Sequence, residues 1–183
     1  MIRDIYEIFK FIAIVALIVA PIRFFVAQPF IVQGSSMSPT FENSDYLVID
    51  ELSYRFREPK RGEMIVFKYP LDSSKFFIKR IVGLPGENIR MENNKIFIQK
   101  DGLPEQELEE KYFKSPALTL AGNKNKWSLN QNEYFVLGDN RSNSSDSRYF
   151  GLLDKKFIIG RAWLRLWPLN EIDYLPGYYK FKI

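Results

Sequence analysis

The 183-residue sequence contains no cysteine and no histidine. Without cysteine, the chain has no thiol nucleophile, disulfide or iron–sulfur site, and its redox compartment is left open. Without histidine, it has neither a Ser-His-Asp triad nor an imidazole zinc site. A hydroxyl nucleophile in this chain would therefore need lysine, aspartate or glutamate as its base. The sequence predicts no metal site and no cofactor.

Long blocks of one charge are also missing. The net charge is +4, but lysine and arginine alternate with acidic residues and no basic block of five or more occurs. Nucleic acid is therefore not a predicted partner, and a bias toward anionic lipid would explain the same net charge. Hydrophobic residues make up 46% of the chain and charged residues 26%, which is typical of a folded protein. The length suits one domain, or one domain with an anchor.

An apolar run covers residues 11–22 and resumes after Arg23. Extended through Ala27, the run reaches about 25 Å at about 1.5 Å per residue, slightly less than the roughly 30 Å of a bilayer's hydrocarbon core. Lys10 and Arg23 lie where their side chains can reach the two interfaces. The run therefore predicts a single membrane-spanning helix.

The flanks of this run indicate how it is used. No small-x-small pair precedes a processing point, which favours a retained anchor over a cleaved signal peptide. Arg3 and Lys10 precede the run and indicate a cytoplasmic N-terminus. We therefore predict an anchor at residues 1–27 and an extracytoplasmic domain at residues 28–183.

The rest of the chain alternates short apolar runs with turn signals, as sheet proteins do. The predicted strands lie within residues 45–52, 63–70, 76–84, 95–99, 133–138 and 157–168. No amphipathic helix longer than a few turns is predicted after Ala27. The predicted fold class is therefore all-β with antiparallel sheets. Residues 101–132 are more polar and less periodic, which predicts an excursion such as a flap or a small subdomain.

Lys79 lies in the predicted strand KFFIKRIVG, between Phe77 and Ile81 on one strand face. A solvated strand lysine is the ordinary interpretation. The alternative is a buried amine, whose pKa is lowered by up to roughly 3 to 5 units, with the charge of Arg80 assisting. Such an amine can take a proton from a serine hydroxyl.

Two segments are rich in serine and glycine. VQGSSMSPT, residues 32–40, is either an ordinary loop or the site of a serine nucleophile. GDNRSNSSDSRYFG, residues 138–151, is either a solvated loop or the support of a site. We expect its acids and arginines to pair and fix its shape, and a hydroxyl such as that of Ser144 to orient a neutral lysine.

Together, these motifs resemble those of the bacterial type I signal peptidases, membrane-anchored Ser-Lys endopeptidases that remove signal peptides from exported proteins. The resemblance rests on QPFIVQGSSMSPT, RGEMIVFKYP, IKRIVGLPGE and GDNRSNSSDSRYFG, which follow the apolar N-terminus in this order between Gln28 and Gly151. The excursion at residues 101–132 matches only loosely.

By position, the resemblance implies that Ser36 is the nucleophile and Lys79 the general base. Ser144 corresponds to an orienting hydroxyl and Asp146 to a structural acid. The other structural residues implied at the site are Asp139, Arg141 and Arg148. The implied substrate-binding residues are Phe30, Val32, Gly34, Met37, Phe77 and Ile78.

The resemblance also implies a β-rich catalytic fold in the bacterial cytoplasmic membrane, with the active site facing the membrane surface. The implied partners are exported preproteins and membrane lipid, and the implied state is a monomer. We expect an extended substrate to pair with strands near residues 32–34 and 76–78. Its small side chains, in an Ala-x-Ala pattern, would precede the scissile bond.

Gly34 stands where many members of the family carry a serine whose hydroxyl stabilises the oxyanion. In an extended segment Gly34 and Ser36 point the same way and Ser35 points the opposite way. Ser35 is therefore not expected to replace the missing hydroxyl, and the donors of the oxyanion hole stay open.

Three alternatives remain. A Ser-Lys self-cleaving repressor would need an N-terminal pair of DNA-binding helices, where this chain is apolar. A membrane-anchored binding module or an inactive homologue would hold signal sequences without cutting them, although Ser36 and Lys79 are intact. A tethered β-domain without a site would leave the order and spacing of three motifs to coincidence.

Overall fold

The computed structural model describes residues 2–25, 27–100, 102–113, 119 and 124–182. Parts of two predicted segments lie outside the described residues. These parts are residues 1 and 26 of the anchor, and residues 101, 114–118 and 120–123 of the excursion.

The described chain contains two helices and twelve strands, joined by turns and three short 3-10 segments. They are α1 (Ile2–Phe25), β1 (Ala27–Ile31), β2 (Tyr46–Asp50), β3 (Met64–Tyr69), β4 (Asp72–Gly83), β5 (Glu87–Glu92), β6 (Lys95–Lys100), β7 (Gln106–Glu107), β8 (Lys126–Ser128), β9 (Glu133–Leu137), α2 (Ser147–Phe150), β10 (Leu153–Asp154), β11 (Ile158–Trp167) and β12 (Asp173–Tyr174). The 3-10 segments are Ser53–Arg55, Lys155–Phe157 and Leu169–Glu171.

Helix α1 covers the apolar N-terminal run, so the prediction of a helix there is confirmed. Among the described residues, no helix combines the length and the apolar character needed to cross a membrane.

The described strands form two antiparallel sheets. Eight strands make the first, in the order β1-β2-β11-β3-β4-β9-β10 with β12 added to β11, and the second has the order β7-β6-β5-β8. Every strand pair in both sheets is antiparallel. The predicted mostly-β, antiparallel fold is therefore confirmed. The described part of the excursion supplies β7 and β8, the two outer strands of the second sheet.

All six predicted strand segments contain a strand, but the sequence did not predict β1, β5 or the short strands β7, β8, β10 and β12. β1 contains Pro29, and it is an edge strand, where proline is tolerated because one row of N–H groups is unpaired. In β5 the buried residues Ile89 and Met91 alternate with polar ones, so the segment has too few apolar residues to stand out.

β3 is buried on both of its faces. Met64 and Val66 belong to one apolar cluster, while Ile65 and Phe67 belong to another. Because β4 pairs with β3 from Tyr69 back to Met64, the polar residues of IKRIVG enter the interior with their strand. This burial is unusual for a lysine and an arginine, which are almost never fully buried without a partner.

Candidate active site

The loop between β1 and β2 carries Ser36. At its base, the Val32 N–H donates to the Asp45 carbonyl and the Ser44 N–H to the Val32 carbonyl, each at 2.9 Å. Gly34 then departs from the strand conformation with a φ of 86°, a left-handed value that glycine adopts readily. The expectation that the segment around Ser36 is extended is therefore wrong, because the chain bends at Gly34.

Met37 was predicted to bind substrate, but it does not line the cleft at the site. Its side chain is 1% exposed and packs with Phe41 in the apolar cluster beneath the loop. The chain turns at Ser36, so that the serine lines an open cleft while the methionine next to it faces the core. Met37 therefore anchors the loop from below.

Lys79 approaches Ser36 from β4. Its Nζ lies 2.7 Å from Ser36 Oγ and donates to the Ile78 carbonyl at 2.8 Å. The lysine is 3% exposed, and burial lowers its pKa to about 8, against the opposing charges of Asp146 and Asp139. The structure thus brings together the two residues singled out in the sequence, 43 positions apart, with an amine that deprotonates close to neutral pH.

Arg80 points away from Lys79. Its guanidinium donates to both carboxylate oxygens of Asp139, at 2.8 and 2.7 Å, and to the Gly177 carbonyl at 2.6 Å. The expectation that Arg80 helps to lower the pKa of Lys79 is wrong, because Asp139 neutralises the arginine. Burial is what lowers the pKa of the lysine.

The loop at residues 138–151 is held by ion pairs. The sequence predicted pairs within the loop, but not pairs to residues outside it. Asp146 and Arg148 pair within the loop, with Nε 2.8 Å from Oδ1. Arg141 instead donates to Glu110 of the excursion at 2.9 Å. The prediction that the loop's own acids hold its arginines is therefore wrong for Arg141, because the loop's other acid is bound to Arg80.

Ser144 is buried in this loop, but its hydroxyl forms no hydrogen bond to any described residue. The expected hydrogen bond to Lys79 is absent, since the lysine's two acceptors are Ser36 Oγ and the Ile78 carbonyl. A Cβ at Gly138 would overlap both Ser144 Oγ and the Ser36 carbonyl oxygen. Glycine at position 138 therefore lets the loop approach the nucleophile.

Asn140 supports the nucleophile in a way that the sequence did not reveal. Its N–H donates to the Ser36 carbonyl at 3.0 Å, and its Nδ2 donates to the Ser35 carbonyl at 3.1 Å. The neighbouring Asn143 donates from Nδ2 to Ser35 Oγ at 2.9 Å. Asparagine in a polar loop carries no signal of contacts more than 100 positions away, so only the fold shows these bonds.

A cleft of about 760 Å³ runs past Ser36 and Lys79. Five of the six predicted substrate-binding residues line it, namely Phe30, Val32, Gly34, Phe77 and Ile78. In the described chain, β1 pairs only with β2, and β4 pairs with β9 only from position 80 onward. Both walls of the cleft therefore carry strand edges that are free to bind an extended peptide. Within the described residues, no group of three or more side chains could hold a metal ion.

The profile of the family described as signal peptidase, peptidase S26, matches residues 5–167. The chain is 36% identical over 175 residues to a probable signal peptidase I-2 of Synechocystis sp., covering 92% of this chain and 76% of that protein. It is 36% identical over 174 residues to the signal peptidase I P of Bacillus subtilis subsp. natto, covering 93% and 94%. A crystal structure of a signal peptidase I from Enterococcus faecalis V583 is 29% identical with a TM-score of 0.46, covering 57% of this chain and 97% of that one.

Proposed function

The chain belongs to the signal peptidase family, peptidase S26, and on that premise we propose that Ser36 is its nucleophile and Lys79 its general base. Its activity is that of a serine endopeptidase, which removes N-terminal signal peptides from exported preproteins. The observation that carries the proposal is the distance of 2.7 Å between Lys79 Nζ and Ser36 Oγ, at a lysine that is 3% exposed.

The protonation state of Lys79 supports this assignment. With an ordinary pKa of about 10.4, only about one lysine in 2,500 is neutral at pH 7. A pKa of about 8 leaves roughly one in ten neutral at the same pH. The neutral amine takes the proton of Ser36 as Oγ attacks the scissile carbonyl, and it then gives that proton to the leaving amine. A water molecule, deprotonated by Lys79, hydrolyses the acyl-enzyme and frees the signal peptide.

The cleft supports binding of an extended substrate by strand addition. Ile78 lies beside the reacting amine, since its carbonyl accepts from Lys79 Nζ at 2.8 Å. Because side chains alternate along a strand, Phe76 lies on the same strand face two residues before Ile78, and Phe30 lines the cleft from β1. The rings of Phe30 and Phe76 approach to 5.7 Å across the cleft and narrow it at that level. Small side chains at the first and third positions before the scissile bond, as in Ala-x-Ala, fit these walls.

The oxyanion donor that we assign is the Ser36 N–H, which donates to no group in the described part of the chain. Asn143 holds Ser35 Oγ in place by donating to it at 2.9 Å, and Gly34 has no side chain to contribute. Backbone donors serve in many acyl-transfer sites. Ser144 and Asp146 are proposed to support the site from the loop behind Lys79.

Enzymes of this family are membrane-associated, and we assign the anchor to α1. The helix leads directly into β1, a wall of the cleft, so an anchored α1 holds the site close to the lipid surface. We propose one membrane pass, with a cytoplasmic N-terminus and a monomeric domain from residue 28 onward outside the cytoplasm of the bacterial cell. Exposed apolar residues beside β11 and β12 give this domain a second lipid contact, namely Trp163, Trp167, Leu169, Ile172 and Tyr174.

The full chain in detergent, incubated with a labelled preprotein, tests the assignment. We expect wild type to release the mature protein, and Ser36→Ala and Lys79→Ala to leave the preprotein intact. Ser128→Ala, at an exposed serine of β8, is the matched control and keeps wild-type activity. Cleavage by Ser36→Ala at the wild-type rate would refute the nucleophile. Binding of preprotein without cleavage by wild type would favour a binding module instead.

A further inference from the structure

Gly34 precedes the nucleophile by two residues, and its backbone is held by a side chain from the far end of the same loop. The Gly34 N–H donates to Asn43 Oδ1 at 2.9 Å. The amide of Asn43 is oriented for this role, because its Nδ2 donates to Ser44 Oγ at 3.1 Å. Asn43 lines no part of the cleft, and its side chain is exposed.

This hydrogen bond continues the pairing that joins the two ends of the loop. The Val32 N–H and carbonyl pair with Asp45 and Ser44 at the base. Further along, Gly34 is in the left-handed region, and its backbone forms no hydrogen bond to the backbone of any residue that the structure describes. The Asn43 side chain supplies the acceptor there, so one more hydrogen bond joins the two ends of the loop before the chain turns toward Ser36.

A restraint at this point matters because glycine has more backbone freedom than any other residue. A Cβ at Gly34 would meet no atom within 4 Å, so packing does not hold the glycine in place. On the other side, Ser36 is fixed by the Asn140 N–H, which donates to its carbonyl at 3.0 Å. On the N-terminal side, Asn140 and Asn143 hold Ser35, and Asn43 adds a restraint one residue further back, at Gly34.

We propose that Asn43 is a positioning residue, which fixes the Gly34 peptide so that the Oγ and N–H of Ser36 stay aligned with the scissile carbonyl. The inference rests on the proposed function, since it assumes that Ser36 is the nucleophile. The Asn43 side chain also occupies the Gly34 N–H. This removes the Gly34 N–H from the oxyanion hole and leaves the Ser36 N–H as the backbone donor that we assign.

Steady-state cleavage of a preprotein by the full chain tests the proposal. Asn43→Ala is expected to lower kcat about tenfold, because small misplacements of reacting groups are costly, while KM stays within about twofold. Asn43→Asp keeps an oxygen that accepts from the Gly34 N–H and is expected to restore kcat on the high-pH plateau. The melting temperature of both variants should match wild type, since the side chain is exposed.

Glu42→Ala is the matched control. Glu42 is the exposed neighbour of Asn43 and accepts from Ser38 Oγ at 2.6 Å, without contact to Gly34. A wild-type kcat in Asn43→Ala, a failure of Asn43→Asp to restore the rate, or an equal loss in Glu42→Ala would each overturn the proposal. The proposed function fails on a different result, which is undiminished cleavage by Ser36→Ala.

Discussion

Lys79 and Arg80 are consecutive residues of β4, both nearly inaccessible to solvent, and their side chains lie on opposite faces of the strand. Arg80 forms an ion pair with Asp139, joined by two hydrogen bonds. Lys79 has no carboxylate within hydrogen-bond distance among the described residues, and its Nζ lies against a hydroxyl and a carbonyl. Burial therefore accommodates an ion pair on one face of β4, and on the other it lowers the pKa of the Lys79 amine to about 8.

This contrast predicts the pH dependence of cleavage. With the Lys79 pKa at about 8, kcat/KM should fall about tenfold per pH unit below that value and level off above it. Lys79→Arg should be inactive at every pH, because a guanidinium stays charged. A rate profile from pH 6 to 10 measures both. A flat profile, or turnover by the arginine variant, would contradict the role of Lys79 as base.

The substitution Asp139→Asn tests the ion pair between Arg80 and Asp139 on the other face of β4. Removing one charge from a buried pair leaves Arg80 uncompensated, which we expect to cost about 3 to 5 kcal/mol of unfolding free energy. Because Asp139 raises the pKa of Lys79, the variant's rate profile should also shift to lower pH. Denaturant unfolding gives the first quantity, with Asp173→Asn, at an exposed residue of β12, as the control. Equal stability of the two variants would show that the pair contributes little.

Ser35→Ala should keep kcat within about tenfold of wild type. The oxyanion donor that we assign is the Ser36 N–H and not the Ser35 hydroxyl, whereas losing a true oxyanion donor costs on the order of 10² to 10³ in rate. Steady-state kinetics at saturating substrate show whether the loss of kcat is within about tenfold or in the range expected for a lost oxyanion donor. A loss of a hundredfold or more with unchanged folding would identify Ser35 as the donor that Gly34 lacks.

The second lipid contact predicts that residues 28–183 alone fold and still bind detergent or lipid vesicles. Tryptophan and tyrosine favour the membrane interface, and Trp167 and Tyr174 are 54% and 62% exposed. Vesicle flotation measures binding, with Trp167→Ser as the variant expected to weaken it. A truncated domain that stays monodisperse without detergent and ignores vesicles would contradict the prediction.

The sequence predicted six of the twelve described strands, the antiparallel class and the family, because alternating apolar runs and contiguous motifs are local signals. The pairing of Ser36 with Lys79 required the family resemblance, since nothing local joins residues 43 positions apart. Contacts such as Arg141 with Glu110, and Asn43 with Gly34, depend on how loops fold back. Polar loop residues look alike in a sequence whether they are solvated or bonded, so these contacts could not be predicted.

Identification of the acylated residue tests the central claim most directly. Wild-type chain is mixed with a preprotein and quenched in acid, and its peptides are analysed by mass spectrometry. The account predicts a covalent adduct of the signal-peptide fragment on the peptide that contains Ser36, because the attacked carbonyl belongs to that fragment, and no adduct in Ser36→Ala. An adduct on Ser35, Ser38 or Ser144 instead, or an adduct that persists in Ser36→Ala, would contradict it.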